Sequence, residues 1–220
     1  MKNNLGFIYA LAAYTWWGFI PIFWKQLDHL GSAEIVMHRM VWSCGLVFAL
    51  IVIMREWDEF KRLFSQPTVL LRLFIASALV SINWGVFIWA VNNGHMVETS
   101  LGYFINPLIS VLFGVLFFAE SLRKGQIFAL SIAFIGVLYL VIAFGSFPWI
   151  SLTLAITFAL YSVAKKSISV PATHGMAIET LFFVLPALGY LIYIESNGTG
   201  QFLDTNFNTG MLILGGLFTL

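Results

Sequence analysis

Residues 83–120, NWGVFIWAVNNGHMVETSLGYFINPLISVLFGVLFFAE, decide the fold. An apolar run ends near Val91, a short polar turn follows, and a second apolar run returns from Thr99. Two such runs joined by a few polar residues read as a pair of antiparallel helices at membrane depth. The stretch also holds the densest set of polar groups inside apolar sequence, and the rest of the chain is apolar run and short connection.

Composition agrees. Of 220 residues, 60% are hydrophobic and 10% charged. A soluble domain carries roughly a quarter charged residues, so these side chains must face lipid. The net charge of +1 excludes the clustered basic surface that nucleic acid needs. The single Cys44 excludes an internal disulfide and a multi-cysteine metal site, and reads as a small packing residue. No GxSxG, HExxH or phosphate-binding loop occurs, which argues against an enzyme, a cofactor and ATP-driven transport.

Outward from the hairpin, eight apolar runs are marked: about 5–24, 35–54, 70–91, 99–119, 127–144, 150–163, 177–194 and 211 onward. Most have the roughly 17–25 residues that cross hydrocarbon. The first continues to Trp24 and is read as a retained helix rather than a signal peptide. The eighth stops at Leu220 in mid-run, so the chain is expected to be truncated after about seven and a half transmembrane helices. Lys2, Arg55, Lys61, Arg62, Arg72, Arg123, Lys124, Lys165 and Lys166 fall at the N-terminus and even-numbered connections; Lys25 alone falls in an odd one. The positive-inside rule then puts the N-terminus in the cytoplasm. The eight tryptophans lie mostly towards run ends, as interfacial anchors would. Trp57, Phe60, Leu63 and Phe64 have helical spacing; a surface amphipathic helix and a solvated loop both fit.

A weak repeat lays residues 11–18 on 154–161, each run ending near lysine and followed by a helix with an early acid, Glu34 or Glu179. Five helices per copy would invert the second in the membrane, as in secondary transporters. Glu179 itself reads as an interfacial capping residue, two residues into its run.

Arg39 is the costliest residue, beside His38 and near Glu34, and His95 and Glu98 belong to the same outer side. This set either lines an outward vestibule that binds charge or relays protons, or Arg39 snorkels or pairs with Glu98. For His38 and His95 a structural hydrogen bond is the favoured reading. Thr99, Tyr103, Asn106, Ser110 and Gly114 form one helical stripe, and Asn106-Pro107 lies near mid-run. Proline frees a carbonyl there; the coincidence of kink and amide favours a translocation path over simple packing. On the preceding run Ser77, Ser81 and Trp84 share a face and Asn83 points elsewhere; Asn83 and Trp84 complete the path candidates.

The 83–122 stretch strongly resembles the RarD branch of the EamA transporters, in the drug/metabolite transporter superfamily. AYTWWGFIPIFWK (13–25), EIVMHRMVWS (34–43) and GSFPWISLTLAITFALYS (145–162) are similar to the same branch. The resemblance implies an all-α polytopic membrane protein of ten helices in two inverted five-helix repeats. Residues 1–144 would be the first and 145–220 an incomplete second. It implies a permease in the bacterial inner membrane linked to chloramphenicol sensitivity, with lipid and a small-molecule substrate as partners and self-association left open. The alternatives are an intramembrane enzyme on lipid-linked substrates and an inactive fragment. Nucleotide sequence past codon 220 checks the expected truncation: an open frame continuing with two further apolar runs is the expected result.

Overall fold

A chain this apolar has to satisfy its backbone within each segment, and helices do so. The computed structural model describes residues 3–218 and contains helices, with no strand among the described residues. Lys2 and the Thr219-Leu220 end of the eighth run lie outside them. The helices are α1 (Asn3–Lys25), α2 (Ser32–Ile53), α3 (Trp57–Arg62), α4 (Pro67–Asn92), α5 (Met96–Phe118), α6 (Lys124–Phe144), α7 (Trp149–Lys166), α8 (Ala172–Ser196) and α9 (Asn206–Leu217). Proline at the first position starts α4, and Gly94 at φ 84° makes the tight turn between α4 and α5.

Six of the eight predicted runs are long and apolar enough to cross a membrane: α1, α2, α4, α5, α6 and α8. The two others differ for physical reasons. α7 carries Ser151, Thr153, Thr157, Tyr161 and two lysines because it packs between α4 and α5 rather than against lipid. α9 has 12 described residues. The 55–66 connection settles as helix: α3 and a 3₁₀ turn at Leu63–Ser65 bury Phe60 and Leu63, while Trp57 and Phe64 stay exposed.

Two ends follow from the contacts. Glu120 pairs with Lys166, Arg72 donates to the Ser167 carbonyl at 2.7 Å, and Glu56 lies 3.0 Å from His174. These gather the Lys/Arg-rich connections at one end, here the basic end. At the opposite end His29 meets Asn208 at 3.0 Å, and Ser151 donates to the Glu98 carbonyl at 2.6 Å. An apolar cluster closes each end. Trp24, Leu27, Ile35, Phe87, Val91 and Leu212 belong to the opposite one; Val47, Ile51, Phe60, Leu73 and Ile178 to the basic one.

Within the bundle α2 packs on α8 and α9, and α8 packs on α2 and α4. α5 packs most extensively on α7, and α6 leans mainly on α5 and buries none of its window. The α5–α7 approach depends on Gly102, where a Cβ would lie 3.1 Å from the Ser151 carbonyl and 3.2 Å from Leu154 Cβ. The tryptophans divide: Trp16, Trp17, Trp57, Trp89 and Trp149 remain exposed, whereas Trp24, Trp42 and Trp84 are drawn into the bundle. Trp24 is 1% exposed in the core, Trp42 packs against Gly216 of α9, and Trp16, Trp17 and Trp84 face an internal cavity. The Trp24, Trp42 and Trp84 rings fill space between helices, which proximity to a run end does not reveal.

Gly102→Leu should cost about 1–3 kcal/mol by overpacking, read as a lowered Tm in detergent. Gly136→Leu on α6, where a Cβ meets nothing within 4 Å, should leave the Tm unchanged.

Candidate functional site

A cavity of about 710 Å³ lies between the two apolar clusters, enclosed by α1, α2, α4, α7, α8 and α9. Its walls are aromatic: Trp16, Trp17, Trp84, Phe158, Tyr161 and Phe183. Its polar groups sit towards its two ends. Towards the opposite end is Arg39, whose guanidinium carbon lies 3.7 Å from the centre of the Trp84 ring. Stacking on an aromatic face offsets part of the cost of a desolvated cation. Towards the basic end is Glu179, paired with Lys165 at 2.7 Å, with the Tyr161 hydroxyl 3.4 Å away.

The α4 face behaves as its spacing predicts. Ser77, Ser81 and Trp84 line the cavity, whereas Asn83 turns to α7 and donates to the Leu154 carbonyl at 2.8 Å and Thr157 Oγ1 at 2.9 Å. Asn83 therefore ties two helices. Ser77 donates to the Glu179 carbonyl at 2.5 Å, and Ser43 Oγ lies 3.1 Å from the Gly216 carbonyl.

The α5 stripe lies elsewhere. Thr99, Tyr103, Asn106, Pro107 and Ser110 line a second cavity of about 870 Å³ between α1 and α5. Ser110 donates to Asn106 Oδ1 at 2.7 Å. Trp17 and Phe158 line both cavities, their rings edge-to-face with centres 6.3 Å apart, inside the roughly 4.5–7 Å of aromatic pairs.

The expected single outer vestibule is divided. Glu34 accepts from the Gln201 N–H at 2.8 Å, and His38 stacks on Phe202 with ring centres 4.5 Å apart. Both are covered by the 197–205 connection, a polar segment whose one phenylalanine seats on α2. Glu98 is held by His95 at 2.7 Å, and His95 stacks on Trp89. Of that set Arg39 alone lines the central cavity. Local helical spacing could not show how a distant loop folds back over α2.

Glu179 is the group the sequence undervalues. α8 begins at Ala172, so Glu179 lies two turns inside the helix and is 7% exposed. The signal was present: Tyr161 and Lys165 are one turn apart on α7, so one face offers a carboxylate both a hydroxyl and an ammonium. Among the described residues no His/Cys/Asp/Glu group could hold a metal ion.

Residues 4–142 match the EamA-like transporter family. The chain is 41% identical to Protein RarD of Streptomyces exfoliatus over 96% of its own length and 67% of that protein's. The chain belongs to the EamA-like transporter family, on its RarD branch. It is also 39% identical to Uncharacterized transporter YojE of Bacillus subtilis, over 99% of the chain and 74% of the relative. Chloramphenicol-sensitive protein RarD of Pseudomonas aeruginosa is 35% identical over 87% of the chain and 66% of that relative. No solved structure gives a significant match. As a member of this family the chain is a multi-pass membrane transporter.

Asn83→Leu should lower stability by about 0.6–2 kcal/mol, the range for interhelical hydrogen bonds in membranes, with thermal unfolding in detergent as the measure.

Proposed function

We propose that this EamA-family chain acts as a secondary transporter, a permease that moves a small amphipathic metabolite or drug through the central cavity. The cavity carries the reading. Its volume of about 710 Å³ is within the ~300–1,000 Å³ of small-molecule pockets. Aromatic walls suit an apolar body, and Arg39 and Glu179 at its two ends suit polar groups. The Pseudomonas aeruginosa relative's name adds chloramphenicol as a probe. Transport is preferred to catalysis because the Ser43 and Ser77 hydroxyls are committed to backbone carbonyls, which leaves them poor nucleophiles.

Residues 1–144 and 145–220 are read as two inverted repeats. Supporting this, α2 meets α8 directly, and α2 packs on α9 as α8 packs on α4. The same exchange holds for the closures. Phe60 of the connection after α2 seats beside His174 of α8, and Phe202 of the connection after α8 seats on His38 of α2. Two related closures on either side of one cavity are what alternating access requires. The bacterial inner membrane is the proposed location, with the basic end and N-terminus cytoplasmic and lipid around the bundle. Self-association would add a partner of the same chain.

Proteoliposomes loaded with labelled chloramphenicol and a panel of amino acids and other metabolites test the transport reading. Substrate-dependent flux is expected, reduced at least about tenfold in Arg39→Gln, equivalent to about 1.4 kcal/mol. No flux across the panel overturns it. Fluorescent-protein fusions after Ser65 and Ser167 should be bright, and alkaline phosphatase fusions after Gly31 and Asn197 active. The inverse pattern overturns the orientation.

A further inference from the structure

α7 and α8 follow one another in sequence but settle on different neighbours. α7 packs on α4 and α5, and α8 on α2 and α4. Their connection, residues 167–171, lies at the basic end. Just inside it one charge pair joins the two helices: Lys165 Nζ donates to Glu179 Oε1 at 2.7 Å. The Glu179 side chain is 8% exposed and lines the cavity. Lys165 is 31% exposed, so its long stem can carry the ammonium to water at the basic end. Gly175, one turn before Glu179, makes the room, since a Cβ there would lie 2.9 Å from Lys165 Nζ.

The groups facing Glu179 are few. α7 supplies Lys165 and Tyr161. α4 supplies the Ser77 hydroxyl, which goes to the Glu179 backbone. α2 supplies Arg39 in the same cavity, and Cys44, whose thiol meets Thr180. On α8 itself the nearest ionisable group, His174, is held beside Glu56.

A carboxylate withdrawn from water needs either a cationic partner or a proton. Lys165 is the cation here, and it is the partner with a route to water. We propose that Glu179 is the proton-binding site of this transporter and that a proton and the Lys165 ammonium occupy it in turn. With Lys165 in place the floor of the cavity is tied shut between α7 and α8. A proton taken from water at the basic end adds to a Glu179 carboxylate oxygen and gives a neutral carboxyl group. Lys165 keeps its own proton and swings its ammonium outward, and the floor is released. Loss of the Glu179 proton to water reverses the step. The inference rests on the reading of the cavity as a transport path, and its test is made without flux.

Infrared titration of the protein in lipid vesicles follows the carbonyl band of protonated carboxyl groups. In parallel, a Cys44→Ala, Ser81→Cys form reports access to the cavity by its reaction with an impermeant maleimide from the basic end. Its rate at each pH is divided by that of a Cys44→Ala, Asp58→Cys form, whose reporter sits on exposed α3. Glu179→Gln is expected to remove one titrating carboxyl band that Lys165→Met and Glu179→Asp retain. Normalised labelling should rise severalfold as the pH is lowered and should lose its pH dependence in Glu179→Gln. A carboxyl spectrum unchanged by Glu179→Gln overturns the proposal. So does labelling that is independent of pH while either substitution alone opens the floor, which would make the pair a fixed tie. Intact titration without flux would count against the transport reading alone.

Discussion

Polar groups removed from water have to find their partners inside the protein, and this constraint governs the bundle. Four buried or half-buried polar side chains are matched helix to helix. Asn83 reaches the backbone of α7, Ser151 that of the α5 start, Ser77 that of α8 and Ser43 that of α9. Each bond fixes the rotation of two helices about their axes. Arg39 over Trp84 and Glu179 with Lys165 are instead displayed in the cavity. The same rule that builds the packing therefore also sorts structural polar groups from those available to a transported molecule.

Small residues set where helices approach. Gly102 lets α5 lie against the α7 backbone, and Gly216 lets α9 lie against Trp42 of α2. With those approaches fixed, α4 is left between α7 and α8, and its one face of Ser77, Ser81 and Trp84 forms a cavity wall. α6 takes no part in this arrangement, and its exposed Phe128, Ile135, Tyr139 and Ile142 face outward as lipid-facing residues would.

The helices were legible because each one is an apolar run bounded by Gly, Pro or charge, and the α4 face was legible because 3.6-residue spacing is local. The helical state of 57–65 was half legible, since its spacing fitted two readings. What escaped was every feature made by residues distant in sequence. The seating of Phe202 on His38, which divides the expected vestibule, joins positions 164 apart in the chain. The depth of Glu179 escaped because α8 opens with ATHGM, too polar to be counted in the run, although the lipid-independent packing on α2 and α4 keeps it helical. The burial of Trp24, Trp42 and Trp84 was not legible because a ring near a run end fits both an interface and a helix crossing.

Trp17 and Phe158 line both cavities, and their rings meet edge-to-face with 6.3 Å between centres. The orientation of these rings is set by side-chain torsions, which change without any helix moving. The two chambers thus form a divisible space whose effective size is a property of rotamers. On the proposed transport reading, a short molecule would meet the central chamber alone, and a longer one the Asn106 stripe as well once a ring turns aside. Breadth of substrate would then have a physical basis in side-chain torsion, with the helix scaffold constant.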